Sequence, residues 1–296
     1  MVTIRKKTVG GRVYFYLEHS IRVGEKVEKK ERYLGTKIPK NLAEIKGNFL
    51  GNIYRERWHP SLDKIRARYL EEIKRMPKSA LEKELRTFTV RFTYDTQRIE
   101  GSRLTLRETA DLLEKGITPK GKPVRDVLEA QAHREVFNEM LDFKKDLILS
   151  VILYWHKRLF EQTKPDVAGR IRTYQVAISG SKFVPPLAVE VYPMLREFFI
   201  WYVRNKTKLH PVELAALVHL KLVTIHPFGD GNGRISRLAM NFVLNINRYP
   251  MLNIPYEGRN SYYNALERSQ LKNNDGIFLQ WFIKRYVKEH KKYLKR

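Results

Sequence analysis

Twelve consecutive residues, His226-Pro227-Phe228-Gly229-Asp230-Gly231-Asn232-Gly233-Arg234-Ile235-Ser236-Arg237, put much of this chain's potential chemistry in one place. The apolar helical run ELAALVHLKLVTI delivers His226 at its C-terminal end, and Pro227 breaks away from that helix. Gly229, Gly231 and Gly233 give a loop whose backbone can take positive φ and approach a ligand closely. A second helix is expected to begin near Asn232, and its free N–H groups and dipole make an anion site. Arg234 and Arg237 are three apart and share a face of that helix. Their forks match phosphate oxygens. Asp230 offers the hard oxygen that a phosphate-bound Mg²⁺ takes. His226 belongs to the pKa class that can remove a proton from an attacking hydroxyl. Each piece alone has a plainer use, since a helix-end histidine can cap or pack. The glycine spacing is not that of a P-loop. Together they form a constellation for phosphoryl chemistry.

The elements around this segment fall into three stretches, 1–41, 42–86 and 87–296. The first alternates like strands, TIRKKTV, RVYFYLEHSIRV and KVEKKERYL, separated by Gly10-Gly11 and Gly24-Glu25. That pattern predicts a three-stranded antiparallel meander with Val13, Phe15 and Leu17 on one side and Tyr14 and Tyr16 on the other. Its uses stay open between nucleic-acid binding, a dimerisation patch and a packing appendage. Residues 42–86 predict a charged helical connector, with Leu62, Ile65, Leu70 and Ile73 at helical spacing. From 87 onward the chain reads as helices with apolar i, i+3, i+4 repeats, Pro211 suiting the first turn of one. RTYQVAISGSKFVPP interrupts them and predicts a hairpin or flap.

The 296 residues are 43% hydrophobic, enough for a sizeable core. The absence of cysteine excludes disulfides, a thiol nucleophile and Cys-based metal sites. Fifty-seven Lys and Arg against thirty-two Asp and Glu give a net charge of +25. Such a surface attracts polyanions or simply solubilises the protein. The start MVTIRKKTVGG lacks an apolar leader and no apolar run reaches membrane-spanning length, so the cytoplasm is the expected compartment and no membrane partner is expected.

HPFGDGNGRISR matches the signature of the Fic (Fic/Doc fold) family at every informative position. The resemblance extends over about residues 90 to 290. VAGRIRTYQVAISG…VPP resembles the approach to that family's target-binding flap, and NSYYNALERSQ resembles the region that closes over the nucleotide base. The resemblance implies a mainly α fold, a Fic-type helical core with a short β-hairpin flap, here preceded by the small antiparallel β-meander. It implies AMP transfer from ATP to a Ser, Thr or Tyr hydroxyl of a protein substrate, with ATP and Mg²⁺ as cofactors. His226 would be the base, Asp230 the Mg²⁺ ligand, and Gly231, Asn232 and Gly233 the phosphate holders. Arg234 and Arg237 would serve the β- and γ-phosphates. Val176, Ala177 and Ile178 would be an edge strand that registers the target peptide. Tyr262 and Tyr263 can border the adenine or belong to the core.

Thr96-Gln97-Arg98-Ile99-Glu100-Gly101 resembles the family's inhibitory-helix pattern, and also reads as a helix end capped by Gly101. In the first case Glu100 pairs with Arg237 and fills the γ-phosphate's place. Members of this type also remove AMP from modified targets. Two alternatives stand beside this reading: a Fic-fold transferase using another nucleotide donor, and a nucleic-acid-binding regulator with a Fic sensor core. A homodimer and nucleic acid stay open as partners.

Overall fold

A computed structural model describes residues 2–23 and 26–295. They divide into two compact units, Met1–Asp63 and Lys64–Arg296, so the division falls inside helix α1, Leu42–Arg75.

In the first unit, strands β1 (Thr3–Val9), β2 (Arg12–Val23) and β3 (Lys26–Gly35) form an antiparallel sheet in the order β1-β2-β3. Gly10 and Gly11 take φ of 57° and 73°, which a two-residue hairpin turn of the right twist requires. The expected Gly24-Glu25 turn lies outside the described residues. Leu17 and Ile21 on one face of β2 pack with Phe49 and Ile53 of α1. Tyr14 and Tyr16 lie on the opposite face, as strand alternation demands.

In the second unit, among the described residues, the end of α1 is followed by α2 (Lys78–Ile99), α3 (Leu106–Lys115), α4 (Val124–Asp142), α5 (Leu149–Phe160), α6 (Ala188–Asn205), α7 (Pro211–Ile225), α8 (Asn232–Ile246), α9 (Arg259–Leu271) and α10 (Asp275–Glu289). Local signals set the ends. Thr105 and Glu108 make a capping box on α3, and Gly116 closes it in the left-handed conformation. Gly101, two residues past the end of α2, has φ of 95°. Apolar on nearly every side, α7 is the central helix and packs on α6, α8 and α10. Helix α8 buries Ile235, Leu238, Phe242 and Val243 almost completely. Its flanks meet α2, α4 and α5. Losing one such side chain as large as Phe242 would cost about 3–5 kcal/mol, so packing rather than helix propensity holds α8 in place. No helix among the described residues is long and apolar enough to cross a membrane.

The expected hairpin is corrected. No strand forms over 171–187. Pro185 and Pro186 lack the N–H a ladder needs. The tip is held instead by Glu267, whose carboxylate accepts from Ser181 Oγ at 3.0 Å and the Lys182 amide at 2.5 Å.

Candidate active site

His226 ends α7 in the left-handed conformation, φ 52°, a strained position for a residue with a Cβ. Its amide closes the helix on Leu222 O, and its carbonyl accepts from Arg172 Nε at 2.8 Å. Nδ1 lies 3.1 Å from Val223 O, an oxygen that only accepts. The proton therefore sits on Nδ1, and Nε2 keeps its lone pair. Burial lowers the pKa of His226, and the nearby Arg172 charge adds to that, outweighing the bond to Val223. The ring is thus held as a neutral base.

The loop after it is pinned from all sides. The Asn232 side chain accepts from the Phe228 amide at 2.9 Å and donates to Phe228 O at 2.8 Å. Asn232 therefore holds the loop's shape, and its amide group is not turned outward to a ligand. Phe228 is buried and stacks on His156, with centroids 3.8 Å apart. His156 Nε2 donates to Asp230 O at 3.0 Å, while Nδ1 accepts from the Gly169 amide at 2.9 Å. Burial pushes His156 down to about 4, which keeps that tautomer neutral. Gly231 has φ of 78°, and a Cβ there would lie 2.3 Å from the Phe160 ring.

The charges form a closed set. Arg234 is buried, paired with Glu129, 3.1 Å from Gln97 Oε1 and 3.3 Å from Asp230 Oδ1. Asp230 also carries the Lys164 ammonium. Burial by itself would raise the Asp230 carboxyl, but Arg234 and Lys164 together hold it below the usual carboxylate range. Among the described residues no group of three or more His, Cys, Asp or Glu could hold a metal ion. A divalent cation at Asp230 would need phosphate oxygens to complete its shell, which is how Mg²⁺ commonly binds with nucleotides.

Arg237 is 1% exposed, and four groups meet its guanidinium. Nε donates to Thr96 Oγ1 at 2.6 Å, and Nη2 donates to Glu100 Oε1 at 2.6 Å and to Thr96 O at 3.3 Å. Nη1 donates to the Tyr262 hydroxyl at 3.3 Å, which in turn meets His219 Nε2 at 3.0 Å. Glu100 reaches the head of α8 because position 233 is glycine: a Cβ there would lie 2.3 Å from Glu100 Oε1. Gly101 ends α2, and that ending aims Glu100 at Arg237.

The Fic/DOC family profile matches residues 146–244, from just before α5 to near the end of α8. Residues 146–244 thus carry a Fic/DOC family domain. It is 32% identical to protein adenylyltransferase fic-1 of Caenorhabditis briggsae over 265 residues, which is 85% of this chain and 51% of that protein. It is 37% identical to protein adenylyltransferase Fic of Drosophila yakuba over 178 residues, 59% of this chain and 36% of that one. The chain thus spans about half or less of the length of these curated relatives. Two solved structures are similar: a Fic domain containing signaling protein from Bacteroides thetaiotaomicron, 26% identical with a TM-score of 0.71 over 79% of this chain and 96% of that one; and Fic-1 from Caenorhabditis elegans, 27% identical with a TM-score of 0.73 over 86% and 76%.

Within this Fic site, His226, Asp230, Gly231, Asn232, Gly233, Arg234, Arg237, Glu100 and Thr96 come together. Tyr262 does not border an open site; it is a core residue, 1% exposed, that supports Arg237. Tyr263 is 42% exposed and donates to Ile99 O at 3.0 Å. Val176, Ala177 and Ile178 lie in the irregular segment rather than in a strand. Sequence reasoning missed Arg172, His156, Glu129, Gln97, Lys164 and His219. Arg172 is buried and donates to His226 O, Tyr174 O and Pro186 O, tying the Fic histidine to both sides of the flap. Its one sequence signal was a second arginine in GRIR.

Proposed function

We propose that this Fic chain is a protein adenylyltransferase that moves AMP from ATP to a Ser, Thr or Tyr hydroxyl of another protein, restrained by Glu100. One observation carries the reading: a neutral histidine with a free Nε2 stands in the same pinned loop as the head of α8 and its two buried arginines. His226 Nε2 takes the hydroxyl proton as the oxygen forms its bond to the α-phosphorus. The bond from that phosphorus to the bridging oxygen breaks, and pyrophosphate leaves. The α8 amides and Arg234 balance the phosphate charge, and Arg237 takes the terminal phosphate. A divalent cation held by Asp230 and the phosphates would add further charge neutralisation. Catalysis of this kind is mostly positioning and charge compensation.

The restraint follows from competition. Glu100 holds Nη2 of Arg237 at 2.6 Å, where a second anion would sit. A triphosphate binds productively only after Glu100 leaves, so inhibition and active site share one chain. Glu100 is 26% exposed at its side chain, enough to meet water, which favours hydrolytic removal of AMP as a second activity of the same site.

The test uses α-labelled ATP with Mg²⁺ and reads label on protein. The Glu100→Gly chain is expected to label strongly, the wild type weakly, and the Glu100→Gly/His226→Ala chain at background. General base loss should lower transfer by about 10²–10⁴-fold. Equal labelling by the double variant would overturn the base assignment. Silence of all three with every nucleoside triphosphate would overturn the transferase reading.

A further inference from the structure

The N-terminal sheet has one face that the fold uses and one that it does not. Leu17, Ile21 and Leu34 turn toward Phe49 and Ile53 of α1. The register sets the other face. Arg5, Tyr16 and Tyr33 lie abreast across the three strands, Lys7 lies beside Tyr14, and Ser20 beside Lys29. Tyr33 is 53% exposed. Its ring centroid is 5.2 Å from that of Tyr16 and 6.2 Å from that of Tyr14. Lys7 Nζ stands 4.5 Å over the Tyr16 ring. Arg12 flanks this group at the hairpin end. Residues 1–63 hold fourteen Lys and Arg against seven Asp and Glu, a net +7.

We infer that this open face binds single-stranded nucleic acid. Clustered aromatic rings on an open sheet offer π-faces on which unpaired bases stack, and flanking cations take the phosphates. A duplex hides its base faces, so the tyrosines would gain nothing from it. The face also holds two carboxylates. Glu18 accepts from Arg5 at 2.9 Å and lies 3.4 Å from Lys29, and Glu31 lies 2.6 Å from Lys7. The Arg5 hydrogen bond holds the Glu18 carboxyl below its usual range, so it is a standing anion on these cations. A phosphate must compete with it. Removing the Glu18 charge should therefore tighten binding, an effect opposite to that of a general loss of structure. The inference is independent of the transferase reading, because binding is measured with no nucleotide present.

The experiment measures fluorescence anisotropy of a labelled fifteen-nucleotide oligouridine with the full chain at several salt concentrations. Contacts from Arg5, Lys7, Arg12 and Lys29 predict a log–log salt slope of about −3. Tyr16→Ala/Tyr33→Ala should weaken binding at least about tenfold while leaving the slope unchanged, since stacking releases no counterions. Glu18→Gln should tighten it severalfold. If the tyrosine variant unfolds the sheet, the Glu18→Gln result decides. Unchanged or weaker binding by Glu18→Gln would overturn the inference. So would tighter binding of an unlabelled duplex competitor, or no binding at 50 mM salt and micromolar protein.

Discussion

The 226–237 loop and the 171–187 segment are both irregular connections beside the same histidine, and they are held in opposite ways. In the loop, Asn232 closes both polar groups of the Phe228 backbone, His156 holds the Asp230 carbonyl, and Arg172 holds those of His226 and, through its amide, Pro227. In the 171–187 segment, Arg172 fixes the two flanks, Glu267 fixes the tip, and Val176, Ala177 and Ile178 pair with no neighbouring strand. On the proposed transferase reading, the contrast separates two tasks. Groups that act on phosphorus must be placed to within fractions of an ångström, whereas a segment that meets a protein target can leave main-chain groups for the target to pair with.

The strongest test of the contrast is acid. His133 is buried and pushed down to about 3, His156 to about 4, and burial drives His219 well below its ordinary value. Their folded-state pKa values lie below the unfolded one, so below about pH 6.5 the unfolded chain binds more protons. Stability should fall as pH drops from there toward 4, by up to about 1.4 kcal/mol per pH unit for each histidine. Thermal melts between pH 7 and 5 measure it. A flat profile would mean these histidines are not buried in the neutral form.

Asn232→Ala should come next. It leaves the buried Phe228 amide and carbonyl unpaired, about 1–3 kcal/mol for each group. At about 2–4 °C per kcal/mol the melting temperature should drop by at least about 4 °C, and transfer should be lost with it. Glu267→Ala is the matched change in the other segment. It should move the melting temperature little and raise the KM for the protein target severalfold, with the KM for ATP unchanged. Equal stability losses from the two variants would erase the distinction. The smallest expected effect is at Lys164, which lies on Asp230 and 3.5 Å from Glu129. Lys164→Met removes one of the two cations on the carboxylate, leaving Arg234, so Mn²⁺ titration in the presence of a non-hydrolysable ATP analogue should show severalfold tighter binding. Unchanged affinity would mean the ammonium does not compete for Asp230.

Much of this was legible before the structure. Gly10-Gly11 announced the hairpin, and the apolar run ELAALVHLKLVTI announced the helix that delivers His226. The chemistry of 226–237 was readable because it is contiguous. The flap was misread because its apolar run has strand composition, while its paired prolines and the Glu267 anchor favour another arrangement. Tyr262 was ambiguous because an aromatic pair on a helix shows no side until its neighbours are known.

The sequence by itself determined the residue types of the site, the helix ends that flank it, and the shared face of Arg234 and Arg237. These depend on interactions a few residues long: turn sterics, capping and helical periodicity. The tertiary structure decided which groups answer them. Glu129 meets Arg234 across 105 residues, Glu100 meets Arg237 across 137, and Arg172 reaches His226 across 54. No local pattern encodes such pairs, because each exists only once the packing of α2, α4 and α8 has brought separate polar groups into one dry space, where each buried charge requires a partner.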